Sequence, residues 1–349
     1  MKRSVKTSER ELSKLFVKAY KGSTAEVLSA VDMDKTLATR ADRFGRTLLI
    51  QACSGGHPLL AQGLLERGAE VNARNIDLGW DALMLASANG HLAVCALLLK
   101  KGADLHFRDI SGYNALMYAS ANGHVTVCAL LLSQGACAHA RDSIGYDALM
   151  YASRWGHIKV CQVLLEAASP PDVRLRNDRG MDALMCAAYH GHIDICALLL
   201  DHGADPNHIC KLRPDLYHHS ALSLAAARDH LEVCLLLISR GANLMLVVRG
   251  RTALERYGKE KPPGSIHTSD KLQRRATLCA AFAWARRWPV MKVMTGCGFR
   301  PLAVRLLEQE APLPPPAPIP LDTPEQRRAY YMGLIFACDG LLRMIVLYL

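Results

Sequence analysis

The chain has 349 residues, half of them apolar, with 42 Lys and Arg against 32 Asp and Glu. That length leaves room for two or three domains, and the apolar share predicts a sizeable buried core and excludes disorder as the dominant state. Of the net +10, residues 1–36 carry +3 and residues 259–349 carry +6, so the long middle is almost neutral and holds no basic stripe of the kind an extended nucleic-acid binder needs.

The opening, MKRSVKTSERELSKLFVKAY, mixes acids with bases and has no long apolar run, which argues against a secretory or a mitochondrial leader. The 12 cysteines are few for this length and recur at one position of a repeated phrase. They read as thiols of a reducing compartment, so the cytoplasm or the nucleus is expected. Residues 13–31, SKLFVKAYKGSTAEVLSAV, keep the rhythm of the phrase but place lysines where later copies are apolar or small. This is expected of a solvated N-terminal capping repeat over residues 1–41.

The phrase itself fills residues 42–258. GYNALMYASANGHVTVCALLLSQGA, at 112–136, returns thirty-three residues later as GYDALMYASRWGHIKVCQVLL, and six full copies and a partial one can be aligned. Asp81, Asn114, Asp147 and Asp182 each stand before a short run rich in Ala and Leu, where a side-chain oxygen can cap the first free helix amides. Leu116 and Ala119 share a face of that run, and Val127, Leu130 and Leu131 follow the i, i+3, i+4 rule in the next. Two short helices per copy are predicted, with Gly123 between them and Gly135 closing the second in a left-handed turn. Neither helix is long enough to persist alone, since isolated helices need roughly 12–15 residues, so copies must stack to bury their apolar faces.

The period, the x-A-L-M-x-A core, the following Gly-His and the terminal L-L-L-x-x-G-A resemble the ankyrin repeat. The resemblance implies an all-α solenoid of stacked helix-turn-helix units with hairpin tips. Four copies read Asp/Asn-Ala-Leu-Met where the family has Thr-Pro-Leu-His, so a polar cap and a flexible core methionine replace the usual tetrapeptide. Insertions before the fifth and sixth copies, in EAASPPDVRLRNDRG and ICKLRPDLYHH, are expected in loops on one face.

Beyond the repeats, residues 259–310 read as a linker and a helical extension, in which Arg274, Arg275, Arg286 and Arg287 flank an apolar middle. Residues 311–324, APLPPPAPIPLDTP, read as a polyproline spacer. Residues 325–349 close as an apolar helix in which Asp339 and Arg343 can pair, and those two charges make a membrane span a poor reading.

Five His/Cys pairs stand four apart, from His91 and Cys95 to His230 and Cys234, a spacing that metal sites also use. The phrase explains them better: the His follows the inter-helix Gly and the Cys occupies an apolar position of the buried stripe. No phosphate-binding loop, nucleophile elbow or zinc-protease motif occurs. No catalytic residue, metal or cofactor is expected.

The resemblance places variable binding positions on the hairpin tips and at the ends of the first helices. Here these are Trp80, Tyr113, Tyr146 and Met181, then Asn89, Asn122, Arg154, Trp155, Tyr189 and His190. Aromatic and Arg side chains on an exposed ladder suit an interface. Arg108, Arg141 and Arg176, with Arg74 before them, form a second ladder beside Asp109 and Asp142, with which local pairing is expected. The function expected is a non-catalytic scaffold or adaptor that binds one or more proteins through the concave face and hairpin tips of the array, with no small-molecule substrate. The alternatives are an anionic partner, nucleic acid or membrane, held by the basic termini, and a ubiquitin-ligase substrate adaptor. For the latter, no L-x-x-x-C of a SOCS box begins the tail, and Leu334 and Cys338 have that spacing only inside its apolar run.

Overall fold

Each inner copy of the phrase becomes a tip and a pair of helices, and the helix starts are set by the predicted caps. In the computed structural model, which describes residues 9–211 and 218–243, Asp81, Asn114, Asp147 and Asp182 accept from the amides of Met84, Met117, Met150 and Met185 at 2.7–2.9 Å. Thr47 does the same for Ile50. The expected linker and helical extension, proline-rich spacer, apolar C-terminal helix and partial last repeat lie outside the described residues.

The described residues fall into two units. The first holds twelve α-helices. They are α1 (Glu9–Lys21), α2 (Thr24–Met33), α3 (Leu48–Ser54), α4 (Pro58–Glu66), α5 (Ala82–Ala88) and α6 (Leu92–Lys100). They continue with α7 (Ala115–Ala121), α8 (Val125–Ser133), α9 (Ala148–Trp155), α10 (Ile158–Leu165), α11 (Ala183–His190) and α12 (Ile193–Asp201). The second unit holds α13 (Ala221–Ala227), which a Ser220/Ser223 capping box starts, and α14 (Leu231–Ser239). Two-residue strands, Cys210–Lys211 and His218–His219, are the only regular extended elements described. The class is all-α, as the repeats predict.

In the first unit the helices form two rows. α3, α5, α7, α9 and α11 pack side by side, and so do α4, α6, α8, α10 and α12. The core runs between the rows as a seam of Leu, Met, Ala and Cys, in which Leu83, Met84, Leu98, Leu116, Met117 and Leu131 are fully buried. Burying a Leu or Met side chain contributes about 1.5–3 kcal/mol, which is how seven- to nine-residue helices persist.

A hydrogen-bonded ladder locks the register between copies. Nε2 of His57, His91, His124, His157 and His192 lies 2.8–3.1 Å from a carbonyl of the preceding copy, those of Tyr20, Ser54, Ala88, Ala121 and Arg154. A carbonyl only accepts, so Nε2 carries the ring proton at each rung. The glycine between the two helices of one copy makes room for the histidine of the next. A Cβ on Gly123 would stand 2.6 Å from the His157 ring, and at φ +77° that backbone also disfavours any side chain. Deeper in the seam the Ser87, Ser120 and Ser153 hydroxyls meet the Cys95, Cys128 and Cys161 sulfurs at 3.6–3.7 Å. The repeated His and Cys are thus spoken for by the stack itself.

Candidate functional site

The tips are built by Asx turns. Oδ1 of Asp109 accepts from the amides of Ser111 and Tyr113, and Oδ1 of Asp142 from those of Ile144 and Tyr146, at 2.8–2.9 Å. Successive tips are also knitted by backbone bonds, Ile110 N to Leu78 O and Ser143 N to Ser111 O. The second oxygen of each aspartate reaches a phenol: Tyr118 donates to Asp109 and Tyr151 to Asp142, each at 2.5 Å.

Each phenol has one proton, and giving it to a carboxylate leaves the oxygen to accept. Tyr118 accepts from the Trp80 indole at 2.7 Å, and Tyr151 is in contact with the Tyr113 hydroxyl, which therefore donates to it. The rings follow suit. Trp80 meets Tyr118 edge-on at 6.1 Å, and Tyr118, Tyr113, Tyr151 and Tyr146 continue in steps of 5.0–5.2 Å. Five aromatic side chains from three copies form one continuous strip. Burial, reinforced by a carboxylate that requires the proton, pushes the Tyr118 and Tyr151 phenols far above the ordinary range. They stay neutral and hold the strip rigid.

A groove of about 440 Å³ opens beside this strip, between α7 and α9. Tyr113, Tyr118 and Tyr151 line it from the strip, and Ala121, Asn122, Arg154 and Trp155 from the helix ends. Its origin is a step in side-chain size. Where the third copy has Ala121 and Asn122, the fourth has Arg154 and Trp155. Small residues leave a space that the large ones next door do not fill. Trp155 is 55% exposed, the Arg154 guanidinium lies over its ring at 5.5 Å, and the buried Nε of Arg154 has no hydrogen-bond partner among the described residues.

Of the residues anticipated from the sequence, the structure brings Trp80, Tyr113, Asn122, Arg154 and Trp155 together here. Two tip positions differ from expectation. Tyr146, taken as an exposed tip residue, is 4% exposed beneath Tyr151, and Met181 is 9% exposed. Asn89 is tied to Ser54 and Leu85 through its amide, one step before the groove. Tyr189 and the exposed His190 stand one step after it, their rings 5.0 Å apart.

The arginine ladder also differs. Arg74, Arg108 and Arg141 do not pair with Asp109 or Asp142, whose oxygens the tip amides and phenols occupy. Each donates instead to a backbone carbonyl of the next copy, those of Arg108, Arg141 and Arg176, at 3.4, 2.7 and 2.8 Å. Arg141 adds a contact to Asp178 at 3.4 Å. Arg108 and Arg176 are exposed. This ladder staples the tips and lies apart from the groove. Sequence reading missed Tyr118 and Tyr151, although both copies carry an Asp followed nine residues later by Tyr, the spacing that closes the strip.

Nothing in the seam resembles a reactive centre. Burial pushes the Cys95 and Cys128 thiols up to about 11, and those of Cys161 and Cys196 to about 12, so none is a ready nucleophile. No group of three His, Cys, Asp or Glu side chains is placed to hold a metal among the described residues. Nor is any described helix long and apolar enough to cross a membrane.

Comparison with known proteins bears on the same residues. The family model described as ankyrin repeats (3 copies) matches at 15–109, 83–173 and 167–248. Human "26S proteasome non-ATPase regulatory subunit 10" is 44% identical over 62 residues, which is 18% of this chain and 27% of that protein. The rat protein of that name is 44% identical over 62 residues, 26% of its length. Human "Ankyrin repeat and KH domain-containing protein 1" is 37% identical over 89 residues, 25% of this chain and 4% of that protein. The chain therefore spans about a quarter or less of the length of each relative it matches.

Proposed function

We propose, from the premise that the chain belongs to the ankyrin repeat family, that it is a non-catalytic adaptor which grips a segment of a partner protein in the groove between α7 and α9. The carrying observation is the groove itself. It is a slot of about 440 Å³ with three phenols on one wall and a half-exposed indole on the other, standing on a strip that hydrogen bonds have already fixed. Pre-organised aromatic surface loses little side-chain entropy when a partner docks, and Trp, Tyr and Arg dominate the energetics of known interfaces. The slot suits one extended strand or one row of side chains from a helix. The flanking positions Asn89, Tyr189 and His190 extend the same face by one copy in each direction. The relatives match over too little of their length to carry a partner across to this chain.

The test is affinity capture with the whole chain, identification of bound proteins by mass spectrometry, and titration of the main one against Tyr113→Ala/Trp155→Ala. Tyr146 is left intact because it belongs to the core. Truncating a hot spot costs at least about 2 kcal/mol, so the double variant is expected to lose roughly thirtyfold or more in affinity. Unchanged affinity in a variant that melts normally would place the interface elsewhere.

A further inference from the structure

We infer that Arg154 is the anion receptor of this groove, so that the segment it takes from a partner carries an aspartate or glutamate next to an apolar residue. This deepens the groove reading and rests on it. The stack does not call for an arginine at this position, because the equivalent residues of the two preceding copies are Ala88 and Ala121. What the arginine brings is charge at the groove: its guanidinium lies over the Trp155 ring at 5.5 Å, and its buried Nε has no hydrogen-bond partner among the described residues. A carboxylate can meet a guanidinium through two parallel hydrogen bonds, which makes an acid the ligand that complements this charge best.

The surroundings narrow the choice of ligand. Asp109 and Asp142 are each engaged by two tip amides and a phenol, so the nearby carboxylates are used. Both phenol protons point at those carboxylates rather than into the groove. Arg154 is then the one formal charge among the residues that line the slot, in a wall otherwise aromatic and amide. Charge complementarity favours an acid, and the exposed Trp155 face beside it favours an apolar neighbour in the ligand. A cationic segment lying on the aromatic faces is the rival, and Arg154 would repel it.

The experiment is selection of a phage-displayed library of random decapeptides on the full chain. Fluorescence anisotropy follows, with the strongest peptide and with its acid-to-amide counterpart. Enrichment of Asp or Glu beside an apolar residue is expected. Neutralising that acid should lose roughly tenfold or more, and Arg154→Gln should lose about as much while binding the two peptides equally, the signature of a coupled pair. Arg154→Gln should melt as the native chain does. Peptides that need Trp155 but bind Arg154→Gln unchanged, or that carry Lys or Arg in place of the acid, would overturn the inference and leave the groove reading standing. An empty selection, or peptides indifferent to Trp155→Ala, would overturn both.

Discussion

The junction between the two helices of a copy and the far end of its first helix are neighbours in sequence and obey opposite rules. At the junction the chain writes Gly-His in each of the first five copies, and in the second to fifth at Gly90–His91, Gly123–His124, Gly156–His157 and Gly191–His192. Just before it, the same four copies read Ala88–Asn89, Ala121–Asn122, Arg154–Trp155 and Tyr189–His190. Each junction histidine of the second to fifth copies reaches a backbone carbonyl of the previous copy, so its identity is fixed by the stack. The helix ends face outward, where the stack tolerates any size. In a repeat array, what every copy repeats is structural, and what one copy changes is where recognition can be written.

The junction side of that contrast can be broken most severely at Gly123. Gly123→Ala places a Cβ 2.6 Å from the His157 ring in a backbone at φ +77°, whereas Gly135, at φ +91°, has nothing within 4 Å of the same added atom. A left-handed non-glycine residue costs about 1–2 kcal/mol, and overpacking adds a comparable amount. Urea unfolding of the full chain should therefore show a loss of about 3 kcal/mol for Gly123→Ala and about 1 kcal/mol for Gly135→Ala. Equal losses would mean that the histidine ladder presses on nothing.

A middle-sized effect per substitution concerns the caps, which are the same element with two chemistries. Burial raises Asp81 and Asp147 to about 6, above the usual carboxylate value of 3.8, despite the helix amides that each accepts. A group whose folded pKa is raised gives stability that is full below about 4 and is lost as pH climbs through about 6. Asn114 already caps its helix in the neutral form with a 2.9 Å bond to Met117. Asp81→Asn/Asp147→Asn should thus flatten the stability profile between pH 4 and 6 and leave the chain more stable at pH 7, by on the order of 2 kcal/mol per cap. An unchanged slope across that window would show that the caps do not titrate there.

These comparisons also show what could be read before the structure and what could not. The period, the caps and the closing glycines are local: each is decided by residues within one turn, and each was legible. Tyr113, Asn122, Arg154 and Trp155 were legible as outward positions by their place in the phrase. The strip was not, because the Tyr113–Tyr151 contact joins side chains thirty-eight residues apart and depends on how far one copy advances over the last. The arginine ladder failed for a related reason. Asp109 and Asp142 lie next to Arg108 and Arg141 in sequence, but the tip amides reach those carboxylates first, and the guanidiniums find carbonyls of the next copy instead.

The smallest expected effect sharpens the comparison from its other side. If the first-helix ends serve recognition, Trp155→Ala should barely alter stability while abolishing partner binding. Trp155 is 55% exposed and its described intramolecular contact is the Arg154 guanidinium over its ring. Such a contact is worth about 0.5–1 kcal/mol at an exposed site, and the smaller Ala is at least as good a helix former, which offsets part of the loss. A change in the urea midpoint equivalent to less than about 1 kcal/mol is expected, against about 3 kcal/mol at Gly123. A loss of several kcal/mol at Trp155 would mean that the indole is part of the packing. The groove would then be a by-product of the stack, and the large residues at this one step would need a structural explanation instead of a binding one.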